Sequence, residues 1–127
     1  MSSMTLVVKR SSRFVLCAVT IAAVGGCVRA TFVPTQSVAY PSADRDCQIE
    51  VFSSALPDRE YIEIGIVEAQ GKAWKSGLEH IMPELKGEGC GAGGDALIIM
   101  GTNTFSEGEQ GTKVQRTSAT VIRWKTR

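Results

Sequence analysis

The feature that most limits what this chain can become is an uncharged apolar run, residues 14–26, that stops at Cys27. Lys9, Arg10 and Arg13 stand before it with no acidic residue, so the leading segment is positively charged and would stay on the cytoplasmic side during export. Spanning a bilayer core takes about 20 apolar residues, and this shorter run fits the h-region of a cleavable signal better than a permanent helix. Gly25 and Gly26 leave room for a peptidase, so residues 1–26 are expected to be removed as a signal peptide. From a chain of 127 residues that leaves 101, enough for one small domain with a tether and too few for two ordinary domains.

The stretch Val24-Gly25-Gly26-Cys27 resembles the lipobox of bacterial lipoproteins, whose usual form is Leu-(Ala/Ser)-(Gly/Ala)-Cys. The resemblance implies that the Cys27 thiol takes up a diacylglyceryl group, that Cys27 becomes the first mature residue, and that acyl chains such as palmitate hold the protein on a membrane. Val28 is not the aspartate that typically retains such proteins in the inner membrane. By the same resemblance the expected location is the outer membrane, with the domain in the periplasm.

The leader takes three of the 14 basic residues and none of the 13 acidic ones, so the remainder carries 11 positive against 13 negative charges, a net −2. Nothing in that balance points to nucleic acid. Cys17 leaves with the signal and Cys27 would be acylated, so only Cys47 and Cys90 remain as thiols. An even pair in an exported chain is most simply a disulfide, because the periplasm is kept oxidising; a soft-metal site or a redox pair is the alternative.

Residues 27–46 contain Pro34, Pro41, Ser, Thr and Gln without a sustained period, the composition of a tether between lipid and domain. Phe32, Val33, Val38 and Tyr40 are more apolar than a linker needs and could dock on the domain or a partner. The domain itself is expected over residues 47–127. Cys47, Ile49 and Val51 alternate with polar residues as a half-buried strand does, and a loop broken by Pro57 follows. The next strand, residues 61–69, places Ile62, Ile64 and Ile66 on one face and Tyr61, Glu63, Gly65 and Val67 on the other, and antiparallel pairing with its predecessor is the simplest outcome.

A helix comes next. Ser76 and Glu79 have capping-box spacing, Trp74, Leu78, Ile81, Met82, Leu85 and Gly89 form an apolar stripe, and Pro83 predicts a kink or restart. The glycine-rich residues 87–94 must end it. Residues 95–102 are a short apolar run suited to a central strand, 103–112 read as a loop, and 113–125 as a last strand whose Arg123 and Lys125 flank Trp124. The expected fold is α+β: a small sheet of about four strands, ordered β-β-α-β-β along the chain and packed against one helix. Ile64, Leu85 and Ile98 are expected to meet between the two layers.

Catalytic material is sparse. His80 is the lone histidine, no Cys-x-x-Cys occurs, and Glu63 and Glu68 point to opposite faces by parity. The glycines around Cys90 lead out of a helix into a strand, the reverse of a phosphate-binding loop. No catalytic, cofactor or metal set is therefore predicted, and the chain is read as a non-enzyme.

The strand Tyr61-Ile-Glu-Ile-Gly-Ile-Val67, the helix ending in a cysteine, and Gly93-Gly-Asp-Ala-Leu-Ile-Ile99 together resemble a group of small exported domains. The group includes the sensor lipoprotein of the Rcs envelope-stress phosphorelay and, more distantly, heavy-metal-binding-domain-like proteins of the YbjQ type. The similarity covers residues 47–125 and implies a compact sheet-on-helix fold without enzymatic activity. The sensor relative uses two disulfides, where this chain offers Cys47 and Cys90 alone, and Gly94 replaces the alanine usual before the aspartate. The functional expectation is a lipid-anchored binding or sensory module that recognises another envelope protein or a cell-wall component, with a metal or redox sensor using Cys47 and Cys90 as the alternative.

Overall fold

The computed structural model describes residues 27–126; the predicted signal peptide lies outside the described residues. Five strands and one α-helix follow one another as β1 (Val28–Pro34), β2 (Glu50–Phe52), β3 (Tyr61–Lys72), α1 (Leu78–Gly91), β4 (Ala96–Glu107) and β5 (Thr112–Trp124). They form one mixed sheet in the order β1-β3-β5-β4-β2, antiparallel throughout except for the parallel β2/β4 pair. The fold is α+β as expected, with five strands where about four were anticipated.

The additional strand lies in the expected tether. In β1, Val28, Ala30 and Phe32 turn inward while Arg29, Thr31 and Val33 are exposed, and each residue pairs with β3 from Val28↔Gly71 to Pro34↔Gly65. Proline is tolerated there because β1 is an edge strand and ends at Pro34. Residues 27–46 are therefore not a free spacer: their first third is sheet.

The expected antiparallel pairing of the first two domain strands is also corrected. β2 is only three residues long and sits beside β4 at the far edge, with two strands, β5 and β4, between it and β3. The loop at 53–60 has to recross the sheet to reach β3. At that far edge β2 pairs in parallel with β4 from Glu50↔Ala96 to Phe52↔Ile98.

α1 covers one face of the sheet, mainly over β3 and β1. Ile81, Leu85 and Cys90 from the helix meet Ile64, Val67, Ala69, Leu97, Ala119 and Val121 from the strands, with Ile49 closing one side. Ile64 and Leu85 take their expected core places, whereas Ile98 does not. Its neighbour Leu97 is fully buried under α1, and Ile98 is half-buried on the opposite face beside Phe52. Side chains alternate along a strand, so displacement by one residue exchanges the faces. In β3 the register shifts between Glu63 and Gly65, which leaves Ile64 and Gly65 both buried and turns Ile66 outward, 38% exposed. A bulge of this kind resets the alternation from which Ile66 was placed with Ile64.

The helix starts one residue later than the capping-box spacing suggested. Ser76 closes a 3-10 turn, Ala73–Lys75, with helical backbone angles (φ −81°, ψ −4°), and so cannot supply the extended conformation of an N-cap. Gly77 does so instead, with φ −76° and ψ 153°, and no side-chain cap bond is made. α1 is continuous through Pro83, and the carbonyl that proline leaves open belongs to the exposed Glu79. Its end is a Schellman motif: Gly94 N–H donates to Gly89 O at 2.9 Å, Gly93 N–H donates to Cys90 O at 3.0 Å, and Gly93 has φ +81°, a left-handed angle that favours glycine. The helix thus runs through Gly87, Gly89 and Gly91 before it stops.

The polar stretch 103–107, read as loop, continues β4. It pairs with β5 out to Glu107↔Thr112, so the loop shrinks to the hairpin tip. The β4 residues there are all exposed, which removes the alternation that marks a half-buried strand.

A groove beneath the disulfide-pinned strap

Residues 35–49 leave β1, wrap the C-terminal half of α1 and return as β2. Several ties hold this strap. Cys47 and Cys90 form a disulfide with Cα atoms 5.9 Å apart. Ala43 N–H donates to Cys90 O at 3.0 Å. Arg45 donates to Glu84 Oε2 and to Glu88 Oε1, both at 2.9 Å. The Arg123 guanidinium lies 4.3 Å from the Tyr40 ring centre and donates to Gly93 O at 2.6 Å, which docks the strap on β5 and on the helix terminus. The hydrogen bond to Glu88, reinforced by the charges of Glu84 and Glu88, raises the Arg45 pKa above its usual value. A raised value keeps the cation present at every pH below the ordinary arginine range, so deprotonation of Arg45 does not loosen the strap at physiological pH.

Between the strap and the sheet lies an open groove of about 330 Å³, lined by Phe32, Pro34, Val38, Tyr40, Ile64 and Ala92 among others. The volume is at the lower end of small-ligand sites, and the pattern of apolar walls with a few placed polar groups is that of a recognition site. The polar groups are Gln36, whose amide donates to Glu63 O at 2.8 Å, and the Tyr40 hydroxyl, which donates to Gln36 Oε1 at 3.1 Å. They fix the strap side of the groove. A second, smaller depression of about 170 Å³ lies on the other sheet face among Phe52, Leu56 and Ile98.

Of the residues singled out from sequence, Cys47 and Cys90 come together as the disulfide. Cys47 belongs to the strap, three residues before β2, and Cys90 to the last turn of α1. Cys27 is exposed and adjoins β1, its carbonyl accepting from Lys72 N–H at 3.3 Å. His80 is on the first turn of α1, edge-on to Trp74 with ring centres 5.9 Å apart and 3.9 Å from Glu79. Glu68 joins no second carboxylate; it pairs with Arg116 at 3.3 Å and accepts from Ser118. Among the described residues no group of three or more His, Cys, Asp or Glu side chains is placed to hold a metal. Trp124 is half-buried, with Arg59 4.6 Å from its ring centre and Phe52 edge-on at 6.1 Å. Sequence reasoning missed the groove because two of its walls, Phe32 and Tyr40, lay in the presumed spacer; their apolar character was the available signal.

The fold and groove define a small, disulfide-closed α+β domain with one candidate recognition site. No protein-family profile matches the chain, and no curated protein matches it. Among solved structures it is similar to a Francisella virulence factor, FvfA, in its orthorhombic crystal form, at 17% identity and a TM-score of 0.48, covering 73% of this chain and 97% of that one.

Proposed function

We propose that this is a non-enzymatic, lipid-anchored cell-envelope protein whose domain binds or senses another envelope component. The observation that carries the reading is the groove under the strap, an apolar recess held open by the Cys47–Cys90 disulfide and the Arg45 ion pairs. A covalent tie suits a compartment that is oxidising, as expected for an exported chain. The anchor is read from the Val24-Gly25-Gly26-Cys27 sequence and from the exposure of Cys27. In the outer membrane, acyl chains on Cys27 would hold the domain on the periplasmic side, and the groove lies toward the Pro34 end of β1, away from Cys27. The occupant in this reading is an envelope protein or a cell-wall component.

Two experiments test the two halves. Cys27→Ser is expected to yield uncleaved precursor that incorporates no labelled palmitate, and normal processing in that variant would refute the anchor. A photo-crosslinking residue at Val38, within the groove, should capture a defined envelope component in intact cells, while the same residue at Glu109 on the hairpin tip should not. Identical patterns from both positions would reject the groove as the binding site.

A further inference from the structure

Cys27 is joined to the sheet without any intervening spacer. Its carbonyl accepts the Lys72 N–H at 3.3 Å, and β1 begins at the next residue. Whatever holds Cys27 therefore holds this end of the domain within a few ångströms of it. At this end the chain turns from β3 into α1, and the turn carries two exposed apolar side chains: Trp74, 62% exposed, and Leu78, 46% exposed. Ala73, just before Trp74, has φ +52°, a left-handed angle that costs a non-glycine residue about 1 kcal/mol or more and persists here because the surrounding turn fixes it. The Lys75 ammonium lies 4.8 Å from the Trp74 ring centre, and the His80 ring meets Trp74 edge-on.

Resting on the reading of Cys27 as the acylated residue, we propose that the shoulder formed by Trp74, Lys75 and Leu78 sits in the lipid headgroup region and fixes the orientation of the domain on the bilayer. A tryptophan with an adjacent lysine is the pairing that settles at a membrane–water boundary, the ring among the upper acyl carbons and the ammonium in water. A bilayer surface is the occupant favoured over a protein partner because the acyl chains on Cys27 bring it to this edge by covalent attachment. The acidic groups at this end limit the depth. Glu107 is paired with Lys72 at 2.6 Å, Glu79 lies on the first turn of α1, and Glu109 is on the hairpin tip, so this edge suits the boundary between headgroups and upper acyl carbons rather than the deep hydrocarbon.

The domain contains its own control. Trp124 pairs with Tyr61 at the opposite end of β3, roughly 35 Å from Lys72 at about 3.3 Å per strand residue. In the proposed orientation Trp74 touches lipid and Trp124 does not. The test uses the full acylated protein in phosphatidylethanolamine–phosphatidylglycerol vesicles whose acyl chains carry bromine, a contact quencher of tryptophan. The wild type should float with the vesicles and lose most of its Trp74 emission, whereas Trp74→Phe should float equally and show little quenching of the remaining Trp124. Because Trp74 is exposed, that variant leaves the core intact. Failure to float would reject the acyl anchor and this orientation with it. Flotation with equal quenching in both proteins would reject the orientation while leaving the anchor standing. A Trp74 open to iodide on vesicles but shielded in native envelopes would assign the shoulder to a protein and overturn the proposal.

Discussion

Cys47 and Cys90, 43 positions apart in sequence, are joined across the mouth of the strap, with the Cys90 side of the bridge fully buried against the core. Closing a loop of that length restricts the unfolded chain by about 4 kcal/mol in the chain-entropy treatment. Small domains have only about 5–15 kcal/mol to lose. The double variant Cys47→Ala/Cys90→Ala is therefore expected to lose most of its resistance to urea. Non-reducing peptide mapping of thiol-blocked protein should recover the two peptides linked; recovery of both cysteines alkylated would favour the metal or redox reading instead.

The two neighbours Leu97 and Ile98 should respond differently to truncation. Leu97 is fully buried beneath α1, so Leu97→Ala is expected to cost about 2–5 kcal/mol, as is Leu85→Ala on the facing helix. Ile98 lies half-exposed on the far face, and Ile98→Ala should cost nearer about 1 kcal/mol. Urea unfolding midpoints measure the difference, and equal losses at 97 and 98 would mean that β4 presents its faces otherwise than described.

The helix glycines separate into two kinds. A Cβ at Gly89 would stand 2.9 Å from both Ile49 Cδ1 and Leu97 Cδ2, and Leu97 is held on all sides. Overpacking there typically costs about 1–3 kcal/mol, against a helix-propensity gain of at most about 1 kcal/mol, so Gly89→Ala should destabilise. At Gly91 the nearest atom to an added Cβ is Ser42 Oγ at 4.0 Å, an ordinary contact. Gly91→Ala should then be stabilising, by up to about 1 kcal/mol. Thermal melts of the pair would expose an error if their signs were reversed.

Arg45 is exposed, and exposed ion pairs contribute little to global stability. Its effect should be local. Arg45→Ala is expected to leave the unfolding midpoint nearly unchanged while residues 35–46 exchange amide hydrogens faster and become more open to proteases. Unchanged exchange in that segment would show that the other ties hold the strap without Arg45.

The parts legible in sequence were those with a strong local period or a small set of alternatives. Of the expected stripe, Ile81, Leu85 and Gly89 form the buried face of the helix while Trp74 and Leu78 are exposed; residues 95–102 gave a strand, although β5 and not β4 is central in the sheet; and Cys47 and Cys90 gave the disulfide as the simplest reading, now found in the structure. What escaped were features decided by tertiary pairing. Val28, Ala30 and Phe32 did alternate with Arg29, Thr31 and Val33, but so short a run beside prolines looks like a tether until β3 pairs with it. β2 pairs with β4, at the edge of the sheet opposite β1, and no local pattern encodes that choice. A bulge at Glu63/Gly65 reversed the facing of Ile66, and Leu97 rather than Ile98 faced inward for the same reason of parity. Of the candidate groove, Phe32 and Tyr40 were noticed as too apolar for a linker, yet their convergence with Ile64 and Ala92 depends on the strap's path around α1.

That β1 starts immediately after Cys27 also gives the domain a mechanical character. β1 is an edge strand bound on one side to β3, and Cys27 O to Lys72 N–H is the first bond met from the Cys27 end. A pull on Cys27 directed away from the sheet loads that bond alone, then each of its successors in turn, as a zipper opens. A pull along β1 loads them together in shear. Under the proposed anchoring at Cys27, the domain would resist drag parallel to the strand far better than lift perpendicular to it, and pulling single molecules from Cys27 should yield a high, abrupt force along the strand and a low, stepwise one away from the sheet.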